Sequence, residues 1–245
     1  MTTDAPTILA TSGGTRPARR TYLELAPLIH YGFELAGVSG RRPRLCHVGT
    51  AFGDQAYRNA WIDEAGRAAG VEVTRLDLFP MPNVADIAGF LGESDLVWVG
   101  GGSTLNLLAV WRAHGLDAIL RQLWQAGVVL GGVSAGSLCW HVGGPTDSFG
   151  PDLRPLDNAL GFLPYSNAVH YDGEAQRRPL FHQLIAGGTL PAGYATDDGV
   201  GLVYRGVELV EAVTEIVGKG AYHVSADGGR ADEERIEPRQ LPGAE

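Results

Sequence analysis

Lysine is almost missing from this chain of 245 residues, where Lys219 is the single example. That scarcity narrows the chemistry. A Ser–Lys dyad, a Schiff base to pyridoxal phosphate or a Walker-type phosphate lysine would each have to fall on this one residue in a Gly-rich turn, and none is expected there. Cysteine is nearly as rare. Cys46 and Cys139 lie far apart and in no CxxC pair, which argues against a disulfide framework and a structural zinc site. Positive charge is also short: the net charge of −9 leaves no basic excess for general nucleic-acid binding. No apolar run reaches the ~18 residues of a membrane span. The start, MTTDAPTILATSGG, lacks the basic and apolar regions of a signal peptide, so a cytoplasmic location is expected.

What the chain has is a core and a rhythm. Hydrophobic residues make up 44%. Short β-type runs at 7–11, 44–51, 71–79, 95–104 and 127–137 alternate with helical patterns near 21–35, 55–69, 84–91, 104–113 and 116–126. Such alternation predicts an α/β fold of three layers, a mostly parallel sheet with helices on both faces. Beyond residue 150 the pattern loosens into a loop-like stretch, a helix near 174–186, and a β-meander with turns at Asp198-Gly199 and Arg205-Gly206. The reading is one α/β domain over 1–225 and a loosely ordered charged tail over 226–245.

Ligands in such folds gather at the carboxyl ends of strands. Both Gly-rich stretches fall there. Gly132-Val133-Ser134-Ala135-Gly136 fits G-x-S-x-G, a nucleophile elbow. A serine on a tight strand-to-helix turn exposes its hydroxyl above the sheet, and its neighbours must be small for the chain to bend. The Ala135 amide is then free at the helix start to donate to an oxyanion.

A nucleophilic serine needs a base and a group to orient it. His170 stands in the long loop after the elbow and is the first choice. His47, near a strand end, is a weaker second. His141 would lie about 10 Å down a continuous helix from Ser134. His30, His114 and His182 sit in or beside helical segments, and His223 in the terminal meander. Asp147 is the first candidate to orient the base, with Asp197 and Asp198 competing. Gly100-Gly101-Gly102-Ser103 lacks the spacing of a dinucleotide loop; its bare amides offer a second oxyanion donor instead.

With these residues in place, the chain resembles the peptidase E family of serine peptidases, which includes α-aspartyl dipeptidases and, more distantly, cyanophycinases. The resemblance rests on VWVGGGSTLNLL (97–108), GGVSAGS (131–137), NAVHYD (167–172) and YATDDGVGLV (194–203), in matching order over nearly the whole chain. It implies a fold like the class I glutamine amidotransferases (flavodoxin-like), with Ser134 as nucleophile and His170 as base. Gly102 and Ala135 would form the oxyanion hole, and Asp147 would hold roughly the acidic position, with Asp197 and Asp198 as alternatives. Gly101, Ser103, Arg177 and Arg178 would face the substrate. The implied activity is hydrolysis of short peptides through an acyl-enzyme, dipeptidase-like and possibly Asp-X directed, with no metal or organic cofactor, by a monomer or homodimer. Two departures bear on specificity. Ser103 stands where the family often has Asn, and Gln176 stands where aspartyl-specific members have an arginine, with Arg177 and Arg178 just beyond. An esterase, amidase or cyanophycinase-like hydrolase on the same site, or a non-catalytic ligand-binding relative, are the competing readings.

Overall fold

Apolar runs that are buried on both faces make the centre of the molecule. The computed structural model describes residues 5–245. In chain order it forms β1 (Thr7–Thr11), a hairpin of β2 (Thr15–Pro17) and β3 (Leu23–Leu25), helix α1 (Pro27–Leu35), β4 (Arg44–Val48), α2 (Ala56–Ala69) and β5 (Glu72–Leu76). There follow α3 (Ile87–Gly92), β6 (Leu96–Val99), α4 (Thr104–Ala113), α5 (Leu116–Gln125), β7 (Val129–Val133) and the single-turn α6 (Ala135–Leu138). The second half holds β8 (Gly144–Thr146), β9 (Arg154–Leu156), β10 (Ser166–Ala168), α7 (Arg177–Ala186) and β11 (Gly193–Thr196). It ends with β12 (Val200–Arg205), β13 (Glu208–Thr214), β14 (Ala221–Asp227), β15 (Arg230–Ile236) and β16 (Arg239–Gln240).

The main sheet has eight strands in the order β16-β13-β12-β1-β7-β6-β4-β5. From β1 to β5 every pairing is parallel, whereas β12 and β13 join antiparallel. Strand residues alternate between two cores, as the pleat requires. Ile8, Val97, Val99 and Leu130 pack with Leu91 of α3, Leu107 and Trp111 of α4, and Leu120 of α5. Leu9, Leu45, Trp98 and Val129 pack with Leu28, Ile29 and Phe33 of α1 and Ala65 of α2. Helices on both faces give the three layers, and near-continuous apolar strands are their consequence.

Four stretches differ from the sequence reading. Helix α1 begins only at Pro27, because proline suits the first helical position, and residues 15–25 form the β2–β3 hairpin. The stretch after 150 carries β9 and β10, with Gly143 bridging Ser166. The meander is divided: β12 and β13 are a hairpin of the main sheet, while β11 belongs to a second sheet, β10-β11-β14-β15. The chain crosses between sheets at Asp198-Gly199.

The expected loose tail is the fourth correction. Residues 226–245 include the end of β14 and the whole of β15, paired in register from Ala221↔Ile236 to Asp227↔Arg230, and β16 on β13. Gly228 and Gly229 both have positive φ, at 55° and 82°, as a two-residue hairpin turn needs. The tail reads as charged because β15 is an edge strand with one face in water.

Candidate active site

Ser134 sits where β7 stops. Its backbone has φ 58° and ψ −113°, a conformation that a residue with a Cβ rarely adopts. Its amide donates to Thr11 O at 3.1 Å, and its carbonyl accepts from Ser137 and Leu138 at 2.9 Å. Neighbouring backbone explains the flanking glycines. A Cβ on Gly132 would come within 2.6 Å of Gly136 O and Val99 O, and one on Gly136 within 2.2 Å of Val99 O. The elbow therefore exists because β6 lies directly against it.

Gly102 belongs to the neighbouring turn after β6. Its φ is 130°, and a Cβ there would lie 2.4 Å from Ala51 O. Among the described residues the Gly102 amide donates no hydrogen bond, whereas Ser103 N donates to Ala51 O at 2.9 Å. Ala135 is the first residue of α6, where no intrahelical acceptor exists for its amide. A Cβ on Gly101 would lie 3.1 Å from Ser134 Cβ, so this position abuts the serine. Ser103 caps α4 through Oγ, which accepts from Asn106 N at 3.2 Å.

His170 arrives from the second sheet. β10 and β11 run parallel with Ala168 beside Ala195, and Tyr171 N continues the pairing to Thr196 O at 3.0 Å. Two parallel strands thus release His170 and Asp198 side by side, and His170 Nδ1 meets Asp198 Oδ1 at 2.5 Å. Among the described residues the ring's other nitrogen, Nε2, makes no hydrogen bond. His170 has φ 52°, and its amide donates to Ser12 Oγ at 3.1 Å. Ser12 Oγ in turn lies 2.7 Å from Thr196 Oγ1.

Asp198 is itself fixed. Its amide donates to Asp172 Oδ1 at 2.9 Å, and Asp172 pairs with Lys219. Burial works against the charge on Asp172, but Lys219 and the Asp198 amide outweigh it and hold this carboxyl below its ordinary range. A Cβ at Gly173 would lie 2.7 Å from Asp198 Oδ2, so glycine there makes room for the carboxylate.

Asp147, the first choice for the acid, lies after the β8 strand and lines the same cleft, but the imidazole contacts Asp198 instead. The reason is topological: Asp147 belongs to the β8–β9 hairpin, which does not pair with β11. Asp197 turns the other way. Its carboxylate accepts from Gly220 N at 2.9 Å and Tyr222 OH at 3.2 Å, tying β11 to β14, and burial raises its pKa.

Among the other histidines, His141 lies past the end of α6, buried 3.0 Å from Ser137 O and 3.3 Å from Tyr204 OH. The helix expected to carry it is only four residues long. His182 meets Glu233 at 2.8 Å. His47 is buried beside the turn after β6, and burial pushes its pKa down to about 4.

Two cavities meet at the serine. The larger, about 910 Å³, is lined by Thr50, Ser103, Asn106, Asp147, Glu174 and Arg177. The smaller, about 410 Å³, runs toward α2 and β3. Phe52, Gly102, Ser134 and His170 line both. Among the described residues Ser134 Oγ makes no hydrogen bond. Such contacts commonly tighten only around substrate. Arg177 is buried, with its guanidinium on Glu174 at 2.5 Å and on the Pro145 carbonyl. Arg178 lies outside both cavities, over Tyr171 and Tyr222 and 3.4 Å from Glu233. The described residues contain no group of three or more His, Cys, Asp or Glu side chains arranged to hold a metal.

The sequence did not single out Ser12, Asp172 or the Tyr22, Arg58 and Trp61 side of the smaller cavity, and it gave Lys219 no role. Ser12 carried a signal, since it ends the first strand beside two glycines. Asp172 and Lys219 carried none, because their contact spans 47 residues.

The fold matches known architecture. A solved peptidase from an acI-B1 actinobacterium superposes with a TM-score of 0.67 at 16% identity, covering 96% of this chain and 95% of that one. Sequence comparison goes further. The model of Peptidase family S51 matches residues 8–211. The uncharacterized peptidase YgaJ of Bacillus subtilis strain 168 is 44% identical over 183 residues, or 75% of this chain and 78% of that protein. Peptidase E of Shewanella denitrificans is 30% identical over 172 residues, 66% of this chain and 70% of its own. This chain belongs to Peptidase family S51.

Proposed function

We propose that the protein is a serine peptidase that hydrolyses short peptides through an acyl-enzyme. The observation that carries this reading is the arrangement of Ser134 on its strained elbow, lining the same two cavities as a histidine whose Nδ1 is held by Asp198.

In the proposed reaction Ser134 Oγ attacks the scissile carbonyl while His170 Nε2 takes its proton. Asp198 keeps Nδ1 protonated and stabilises the imidazolium. The amides of Gly102 and Ala135 receive the oxyanion, and loss of one such donor costs on the order of a hundredfold or more in turnover. The amine leaves with the proton from His170. Water, activated by the same ring, then releases the acyl group.

Asp198 takes the orienting role in this reading, in place of Asp147. An aspartyl preference gains little support: Arg177, the arginine lining the larger cavity, is already held by Glu174 and the Pro145 carbonyl. Gln176, at the position matching the family's arginine, points its amide oxygen to Leu153 N at 3.4 Å.

The test is Ser134→Ala. The variant is expected to fold, with an unchanged circular dichroism spectrum, and to lose hydrolysis of a dipeptide library by a factor on the order of 10⁴ or more. Undiminished hydrolysis by that variant would end the proposal.

A further inference from the structure

The smaller cavity is built unlike the larger one. Its floor is neutral and largely apolar: Trp98 is buried, and His47 is held uncharged by burial. Bare backbone keeps it open beside the serine. A Cβ at Gly100 would stand 3.3 Å from His47 Nε2, and one at Gly101 3.1 Å from Ser134 Cβ. Its mouth is aromatic. Tyr22 and Trp61 stack with ring centroids 3.8 Å apart, and Phe52 lines the same cavity. Tyr22 and Phe52 are left 60% and 38% exposed, an apolar rim around a concave site.

One permanently charged side chain lines this cavity, Arg58. Its guanidinium lies 3.5 Å from the centre of the Phe52 ring, and Nε contacts Tyr57 OH at 3.3 Å. Among the described residues it pairs with no carboxylate, in contrast to Arg177. A cation poised on an aromatic rim, next to an apolar pocket, matches one chemical object. That object is an amino acid with an apolar side chain and a free carboxylate.

We infer that the smaller cavity receives the C-terminal residue of a short peptide, its apolar side chain against the Tyr22–Trp61 stack and its α-carboxylate on Arg58. The inference rests on the peptidase reading and deepens it by naming the substrate class. The scissile C–N bond then lies between the residue in the larger cavity and this one. Its cleavage passes the carbonyl carbon to Ser134 Oγ, and the terminal amino acid leaves as the amine with a proton from His170. The preferred substrates are peptides ending in Phe, Tyr or Leu, from which one residue is released. Arg58 supplies the direction of reading, since an internal residue has no carboxylate to offer it.

The experiment uses dipeptide sets Xaa-Phe, Xaa-Ala, Xaa-Asp and Xaa-Phe amide, with the first residue varied. For the wild-type enzyme, kcat/KM is expected to be about tenfold or more higher for Xaa-Phe than for Xaa-Ala or the amide, the range typical of a filled apolar pocket and a charged contact. Arg58→Gln should collapse the acid-to-amide ratio and leave the Phe-to-Ala ratio, with Arg58→Lys restoring part of the first. Trp61→Ala, or Tyr22→Ala should the former fold poorly, should do the reverse. The same selectivity is measured as binding to Ser134→Ala by calorimetry. Equal binding of acid and amide, or preference for Xaa-Asp over Xaa-Phe, overturns the inference even when the wild type hydrolyses peptides. Selective binding by a protein whose wild type cleaves nothing would uphold the inference and sink the catalytic reading instead.

Discussion

Ser134 and His170 reach the same cavities by different means. The serine is held by its own neighbourhood: Gly132 and Gly136 bend the chain, Ser137 and Leu138 bond its carbonyl, and the two adjoining strands press close. The histidine is held from far away. Its amide is fixed by Ser12, 158 residues distant, and its ring by Asp198, 28 residues on, through the parallel pairing of β10 and β11. Both have positive φ, 58° and 52°. One strained position is enforced by a local turn, the other by the junction of two sheets. Ser134 therefore depends on the close backbone packing around its turn, and His170 on the pairing of distant strands.

The largest effect should come from breaking the local half. Gly136→Val places atoms where Val99 O already lies, because even a Cβ would be 2.2 Å away. We expect hydrolysis to fall to background and stability to drop by about 1–3 kcal/mol, the usual cost of overpacking. Chemical denaturation beside the peptide assay checks both. A stable and active variant would show that the elbow is not sterically fixed.

Acid should separate the halves next. His47 and His141, both buried, have pKa values pushed down to about 4 by burial. The unfolded chain, titrating near 6.5, binds more protons than the native state between these values. Stability is therefore full above about pH 6.5 and is lost as pH falls toward 4. Roughly 2 kcal/mol per histidine should go between pH 7 and pH 5. Urea midpoints across that range read it, and His141→Gln should flatten the slope. A flat wild-type profile would contradict the burial argument.

The smallest effect probes the distant half. Lys219→Met removes the partner of Asp172, which receives the Asp198 amide. Both side chains are about one-third exposed, so the loss should be under about 1 kcal/mol, or two- to fivefold in kcat with KM little changed. An effect on KM alone would place Lys219 with substrate rather than with Asp198.

The same contrast explains what could be read in the sequence. The parallel strands and α4 were legible because buried strands are continuous apolar runs and helix periodicity is local. Ser134 was legible because its signature, Gly132 to Gly136, lies within five residues, although the strand that demands those glycines, β6, is distant in sequence. His170 was found as a histidine after the elbow, but its acid was not settled. Asp147 follows the elbow closely, whereas the pairing that delivers Asp198 depends on a second sheet that the loop-like stretch after 150 did not announce. The tail gave no strand signal for a related reason: the edge strand β15 is charged at five of its seven positions and so shows no apolar alternation. The outer lining of the smaller cavity was invisible because Tyr22 comes from the β2–β3 hairpin and Arg58 and Trp61 from α2, both far from Ser134 in sequence.

In the proposed mechanism Asp198 orients His170 toward Ser134. Its most direct test is kcat/KM for Asp198→Asn beside Asp147→Asn, each with circular dichroism to show the fold is kept. Asp198→Asn is expected to lose about 10²- to 10⁴-fold, by analogy with removal of the acid in serine-protease triads, and Asp147→Asn less than about threefold. The opposite pattern, with Asp147→Asn crippled and Asp198→Asn near wild type, would contradict it.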